Sequence, residues 1–320
     1  MDPIVQNLNK IPHLSRLVKE GLLTERTLMT VHKHQDLQKL NSNKRVYTHI
    51  SDSKYALDTL TESTVCYYPN GDVLALFLKG DILKSSRKAL PALIPESIRN
   101  QAFEGLSQIK FTKDTKGFKK PTRPETKNAV LWNPDARELA FGYTDIGSIE
   151  LSLAARHQAE HYAKVMPLIR LVNGIYARVL PKEYAAASRH QVARKRFRQA
   201  GTTFTTVTVN RNLPTALHKD TRNHPGLIAM TTLAAPGTTG GEFCFPQYAL
   251  KVPVKPGDLL IAATSREWHC NLSPVVGLKF SVVCYKLRLS NLKMLRTFKI
   301  KLIKARIKKL RKTKKPQLPS

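Results

Sequence analysis

The sequence predicts an α+β fold in which a helical region precedes a β-sandwich or barrel. Three observations carry that prediction. From Ser148 to about Arg198, Gly and Pro are few and apolar residues recur at helical intervals: Leu151, Leu153 and Ala154, then Met166, Ile169, Leu171, Val172 and Ile175. After Gly201 the pattern changes to short β-prone runs separated by Gly and Pro turns, at 203–209, 227–233, 250–254, 258–263 and 279–287. The third is size: 320 residues with 42% apolar content can bury a full core.

Leu14, Leu17, Val18 and Leu22 fall on one face of a first helix, so residues 1 to about 60 read as a peripheral polar layer. Within Val65 to Lys79, VCYYPNGDVLALFLK, an Asn-Gly-Asp turn separates two β-prone runs and predicts a hairpin. Residues 110–128, FTKDTKGFKKPTRPETKN with its flanking lysine, are rich in Lys, Thr, Pro and Gly and read as an exposed basic loop. Two helices broken near Pro181 follow, then the strands. From Lys293 onward basic residues interleave with Leu295, Phe298, Leu302, Ile303, Ile307 and Leu310, giving a basic helix with one apolar stripe. These segments divide the chain into an N-terminal region (1–147), helical support plus β core (148–290) and a basic tail (291–320).

Charge narrows the partners. The 53 Lys and Arg against 23 Asp and Glu give a net charge of +30, which favours a polyanion, nucleic acid first. The four cysteines, Cys66, Cys244, Cys270 and Cys284, have no CxxC spacing, so neither a disulfide framework nor a zinc ribbon is expected. The N-terminus lacks a signal-peptide apolar core, and the apolar runs are too short or too interrupted to cross a bilayer. The expectation is an intracellular protein without a membrane partner, nuclear if its source is eukaryotic, with KKLRKTKK as an import or nucleic-acid segment.

The chemistry concentrates in two phrases. TVTVNRNLPTALHKD places His218 and Asp220 two apart, so on a strand both side chains project from one face. REWHCN supplies His269, 49 positions beyond Asp220, and completes a set of two histidines and one carboxylate. Such a facial set leaves coordination positions open for a bidentate 2-oxo acid and O2, the non-haem Fe(II) oxygenase arrangement. Between the ligands stand GGEFCFP (240–246) and KPGDLLI (255–261), each a turn followed by strand residues.

VNRNLPTALHKD, GGEFCFPQY, KPGDLLI, WHCN and FSVVCY together resemble the TET/JBP group of 2-oxoglutarate oxygenases, over about Thr203 to Leu287. The resemblance implies a double-stranded β-helix (jelly-roll) core flanked by helices. It implies Fe(II) on His218, Asp220 and His269, with 2-oxoglutarate and O2 as cosubstrates and a 5-methylpyrimidine methyl group in DNA as the target. It also implies a basic residue on the strand after His269 for the distal carboxylate of 2-oxoglutarate. The group has Arg there; in GLKFSVVCY the place falls to Lys279, with Ser281 on the same strand face as a second donor, and Lys286 and Arg288 as fallbacks. Asn210 and Asn212 could bond cosubstrate or base, or could close the turn before Pro214.

Phosphate grip for a flipped base would come from the 110–128 loop and RHQVARKRFR at 189–198. Other readings compete. ARHQAEH contains His157, Glu160 and His161, an H-x-x-E-H that on one helix would put both histidines on a zinc-binding face. His32 and His34 read as surface residues. An oxygenase acting on a protein side chain and a barrel that only binds nucleic acid are the remaining alternatives.

Overall fold

The computed structural model describes residues 12–19, 28–30, 57–80, 92–111, 136–143, 149–152, 157–189 and most of 199–287. Outside the described residues lie His32 and His34, the basic loop from residue 112, most of the 189–198 cluster, Arg288 and the whole tail. Numbered in chain order, the main sheet runs β1 (Leu28–Thr30), β3 (Thr64–Tyr67), β4 (Val73–Leu78), β12 (Leu259–Ala262), β8 (Ile228–Ala234), β15 (Lys279–Tyr285), β7 (Thr206–Arg211), β5 (Ala136–Tyr143), β6 (Ile149–Leu151). A second sheet runs β13 (Cys270–Asn271), β10 (Phe243–Phe245), β11 (Leu250–Val252), β2 (Asp58–Thr59), and β14 (Val275–Val276) pairs with β9 (Thr239–Gly240).

Pairs around β8, β12 and β15 are antiparallel, and the chain crosses from the main sheet to the second sheet for β10 and β11, back for β12, over again for β13 and back for β15. This is the jelly-roll core with flanking helices that the motifs implied. Residues of both sheets, among them Met230, Leu260 and Phe245, belong to one continuous hydrophobic cluster.

The hairpin predicted around Asn70 is β3 and β4, which pair antiparallel. Asn70 Oδ1 accepts the Asp72 N–H at 3.1 Å and Gly71 adopts φ +84°, a conformation that glycine takes without strain. The KPGD turn has an equally local cause. The buried Asp258 carboxylate accepts the N–H of Lys255 (2.9 Å) and, across the sheet, the N–H of Gly80 (2.8 Å), so it ties the turn before β12 to the end of β4.

Four helices are described: α1 (Pro12–Lys19), α2 (Glu96–Gln108), α3 (Ala159–Val179) and α4 (Pro181–Arg189). The break at Pro181 falls where the sequence placed it. The residues just before α3 differ from expectation. Leu151 closes strand β6, so the helical stretch begins later than Ser148. Strand β5, ARELAFGY, also lies where no strand was expected; it pairs with β7 through Ala136 to Ala140 and extends the sheet.

Helices α2 and α3 cover the outer face of the main sheet, with Phe280 of β15 packed between Phe103 (centroids 5.6 Å) and Phe111 (6.3 Å). They cross closely because α2 carries Gly105, where a Cβ would stand 2.6 Å from the His161 carbonyl oxygen and 2.8 Å from Lys164 Cβ. Gly105→Val is therefore expected to force the helices apart and cost about 2–3 kcal/mol. A thermal melt checks this: Tm should fall by roughly 5–10 °C.

Candidate metal centre

The three sequence-predicted ligands meet. His218 Nε2 lies 3.4 Å from Asp220 Oδ1, His269 Nε2 lies 3.6 Å from Asp220 Oδ2, and the three donor atoms fall within 4.8 Å of one another. Among the described residues no other group of His, Cys, Asp and Glu could hold a metal ion.

The backbone brings them together differently from the expected route. His218 and Asp220 are not on a regular strand; they lie on an extended segment between β7 and β8 that makes a single bridge to His269. In that bridge His218 N–H donates to the His269 carbonyl (3.0 Å) and His269 N–H to the His218 carbonyl (2.9 Å). Asp220 N–H then donates to the Thr264 carbonyl at 3.0 Å, which fixes the carboxylate beside the two rings. Thr215 anchors the other end: its hydroxyl accepts Asn271 N–H at 2.8 Å and donates to Asn271 Oδ1 at 3.1 Å. One-sided projection survives because the segment is extended, even though the ladder is only one residue long.

His269 is the most constrained of the three candidate ligands. Its Nδ1 lies 3.1 Å from the Glu267 carbonyl, so Nδ1 carries the proton and Nε2 presents its lone pair to the centre. The Phe243 ring stacks on it (centroids 5.4 Å, 19° between planes), and Phe245 contacts it edge-on at 6.5 Å. Burial first, then the neighbouring His218 ring, pushes the pKa of His269 down to about 4, which keeps it neutral and able to ligate at pH 7. Burial of Asp220 works against its charge, but the facing His269 and His218 side chains outweigh it and hold the carboxyl well below its usual range. Two neutral imidazole nitrogens and one carboxylate are a donor set suited to a divalent first-row metal, Fe(II) included.

Glu267 did not stand out in the sequence. Its buried carboxylate accepts the Tyr68 hydroxyl at 2.9 Å and the side-chain amide of Gln247, so the turn leading into His269 is tied to the β3–β4 hairpin and to the end of β10. The signal available was its place two residues before His269.

Lys279 opens β15, and its buried ammonium donates to the carbonyls of Gly240 (3.0 Å) and Gly241 (2.9 Å). Both glycines have positive φ, +82° and +68°, which turns these carbonyls toward the lysine and accounts for GGEF. Gly241 also accepts Asn271 Nδ2 at 3.3 Å, so one carbonyl joins Lys279 to the strand after His269. Burial lowers the Lys279 pKa and the charge of Glu242 opposes that shift.

Ser281 stands in register between Asn210 of β7 and Thr232 of β8, so the three share one sheet face. The Thr232 hydroxyl is buried and has no hydrogen-bond partner among the described residues. Asn212 serves the turn: at φ +48° its side chain accepts Lys279 N–H (2.7 Å) and donates to the Gly277 carbonyl (2.6 Å). Lys286 lies at the far end of β15, where its backbone carbonyl accepts His224 N–H at 2.8 Å.

The zinc alternative fails on geometry. His157 and His161 do not share a helix face, because α3 starts at Ala159 and Gln158 between them is non-helical (φ −135°, ψ 37°). Glu160 is mostly exposed, at 82%.

The chain is similar to known proteins over the region that contains this site. The Tet_JBP family, described as the oxygenase domain of the 2OGFeDO superfamily, matches residues 149–288, a span that contains all three ligands and Lys279. Residues 149–288 are therefore similar to the TET/JBP oxygenase domains. The TET/JBP assignment implies Fe(II) and 2-oxoglutarate as cofactors, and the donor set fits the iron. Two curated relatives are similar in sequence. Thymine dioxygenase JBP1 of Crithidia fasciculata is 31% identical over 136 residues, covering 41% of this chain and 16% of its own length. The bifunctional helicase and thymine dioxygenase JBP2 of Leishmania tarentolae is 21% identical over 276 residues, 82% of this chain and 22% of its own. The chain thus spans less than a quarter of either relative. Among solved structures, NgTET1 in complex with 5mC DNA matches with a TM-score of 0.56 at 12% identity, over 89% of this chain and 90% of that one. At that identity the match bears on the TET/JBP fold alone.

Proposed function

We propose that the protein is an Fe(II)/2-oxoglutarate-dependent dioxygenase that hydroxylates the methyl group of a 5-methylpyrimidine, 5-methylcytosine or thymine, in DNA. The observation that carries the reading is the convergence of His218 Nε2, Asp220 and His269 Nε2 inside a TET/JBP domain. Iron bound there supplies oxidative decarboxylation of 2-oxoglutarate coupled to oxygen insertion into a C–H bond. The chain's own residues hold and exclude. The Glu267 carbonyl fixes the His269 tautomer, and Phe243 and Phe245 keep water from that ring. Asp220 stays ionised to balance the metal charge.

For the cosubstrate, Lys279 has a third N–H beyond the two given to Gly240 and Gly241, and that donor pairs with the distal carboxylate. Ser281, Asn210 and the unpartnered Thr232 hydroxyl offer further polar atoms on that sheet face. Lys279→Met is expected to raise the KM for 2-oxoglutarate by about 10–100-fold, the loss of one charge-assisted hydrogen bond, while Fe(II) binding persists. Steady-state kinetics with metal stoichiometry reads both.

DNA is supported by the +30 charge, by the thymine dioxygenase names of the curated relatives and by the DNA in the matched complex. Phosphate binding of that kind weakens steeply with salt. The test is nucleoside mass spectrometry after incubating the protein, Fe(II) and 2-oxoglutarate with DNA that contains 5-methylcytosine and thymine. The expected product is 5-hydroxymethylcytosine or 5-hydroxymethyluracil. Succinate formed with a protein substrate, and no oxidised base, would move the target to a side chain.

A further inference from the structure

Cys244 and Cys270 are a pair of thiols beside the metal centre with no part in the proposed function. They are register partners across β10 and β13, their sulfurs lie 3.1 Å apart, and both are reduced thiols, fully buried. Side chains alternate along a strand, so they point away from the face that carries Phe243, Phe245 and His269. On their own face they form a small cluster with Leu272, and among the described residues the half-buried Leu57 and Leu217 pack against it. Cys66 and Cys284 differ: both lie inside the domain with no cysteine neighbour among the described residues, and burial pushes the Cys66 thiol up to about 12 and Cys284 up as well.

We propose that Cys244 and Cys270 are a reversible dithiol–disulfide modification site, oxidised by hydrogen peroxide, whose closure weakens metal binding at the neighbouring His269. One cysteine sulfur, as thiolate, attacks a peroxide oxygen and breaks the O–O bond, leaving a sulfenic acid and hydroxide, which takes up the released proton as water. The second sulfur then displaces the sulfenic oxygen as water and forms the S–S bond. Two thiols and one peroxide give one disulfide and two waters, and a dithiol reductant reverses the oxidation.

The mechanical consequence follows from distance. Closure draws the sulfurs from 3.1 Å to roughly 2.05 Å, and Cβ atoms must approach to about 4 Å, closer than a typical cross-strand pair. The shift falls on β10 and β13, which carry Phe243 and directly follow His269, so the ring and its stacking partner move relative to Asp220. This coupling rests on the reading of His269 as a metal ligand.

The test uses the full reduced chain treated with equimolar hydrogen peroxide, then alkylated in denaturant and digested without reductant. Mass spectrometry should find the Cys244 and Cys270 peptides joined, two hydrogens lighter than the reduced pair, with Cys66 and Cys284 alkylated. Mn(II), a redox-inert probe, should bind the oxidised chain about 10-fold more weakly, with affinity restored by dithiothreitol. Cys244→Ser and Cys244→Ala should bind Mn(II) equally before and after peroxide. Alkylation of all four cysteines, over-oxidation without cross-linking, or a cross-link that leaves Mn(II) affinity unchanged would overturn the proposal. Failure of the reduced chain to bind Mn(II) would overturn the ligand reading and the coupling with it, while the cross-link is scored separately.

Discussion

Asp220→Ala is expected to lower metal affinity by more than about 100-fold and to abolish turnover. Asp220 is the only carboxylate in the donor set, and its oxygens lie 3.4 and 3.6 Å from the two Nε2 atoms. Without it two neutral imidazoles remain, which retain little affinity for a hard divalent cation. Loss of an outer partner of a metal ligand alone typically costs roughly 10–100-fold, so removing the anionic ligand must cost more. The fold should persist, because the segment is held by the reciprocal His218–His269 backbone pair and by Thr215, none of which uses the Asp220 side chain. Metal stoichiometry by elemental analysis and a far-UV circular dichroism melt separate the two outcomes. A variant that keeps one tightly bound metal would show that Asp220 is not a ligand.

Phe280→Ala should have the largest effect on stability, about 3–5 kcal/mol. Phe280 is 1% exposed at the start of β15, between Phe103 of α2 and Phe111, and it joins the helical layer to the strand that carries Lys279 and Ser281. Phe111 cannot fill the space, since it is itself pinned by the Arg211 guanidinium over its ring at 4.2 Å. Denaturant unfolding should show a lower midpoint at an unchanged slope. A loss under 1 kcal/mol would mean that the helices do not depend on this contact.

Features whose cause is local were legible in the sequence. The Asn-Gly-Asp hairpin, the KPGD turn, the break at Pro181 and the five strands after Gly201 each rest on residues a few positions apart, so periodicity and turn chemistry identify them. His218 and Asp220 were found for the same reason, although the strand assumed for them is only one bridge. Where long-range contacts decide, the sequence misled or was silent. Leu151 fits a helical interval, yet pairing with Phe141 makes it a strand residue. His157 and His161 have helical spacing, but Gln158 interrupts the helix between them. Glu267 gains its role only because the fold brings Tyr68, 199 positions away, to its carboxylate. GGEF became intelligible once Lys279 was seen against its two glycine carbonyls.

The proposed activity requires that His218, Asp220 and His269 form an iron centre that consumes 2-oxoglutarate. Succinate production measured with Fe(II) and 2-oxoglutarate, in the wild type, in His269→Ala and in a His157→Ala/His161→Ala double variant, tests that most directly. The predicted result is iron-dependent succinate from the wild type and the double variant and none from His269→Ala. Succinate that persists in His269→Ala, or disappears in the double variant while the fold is intact, would contradict it.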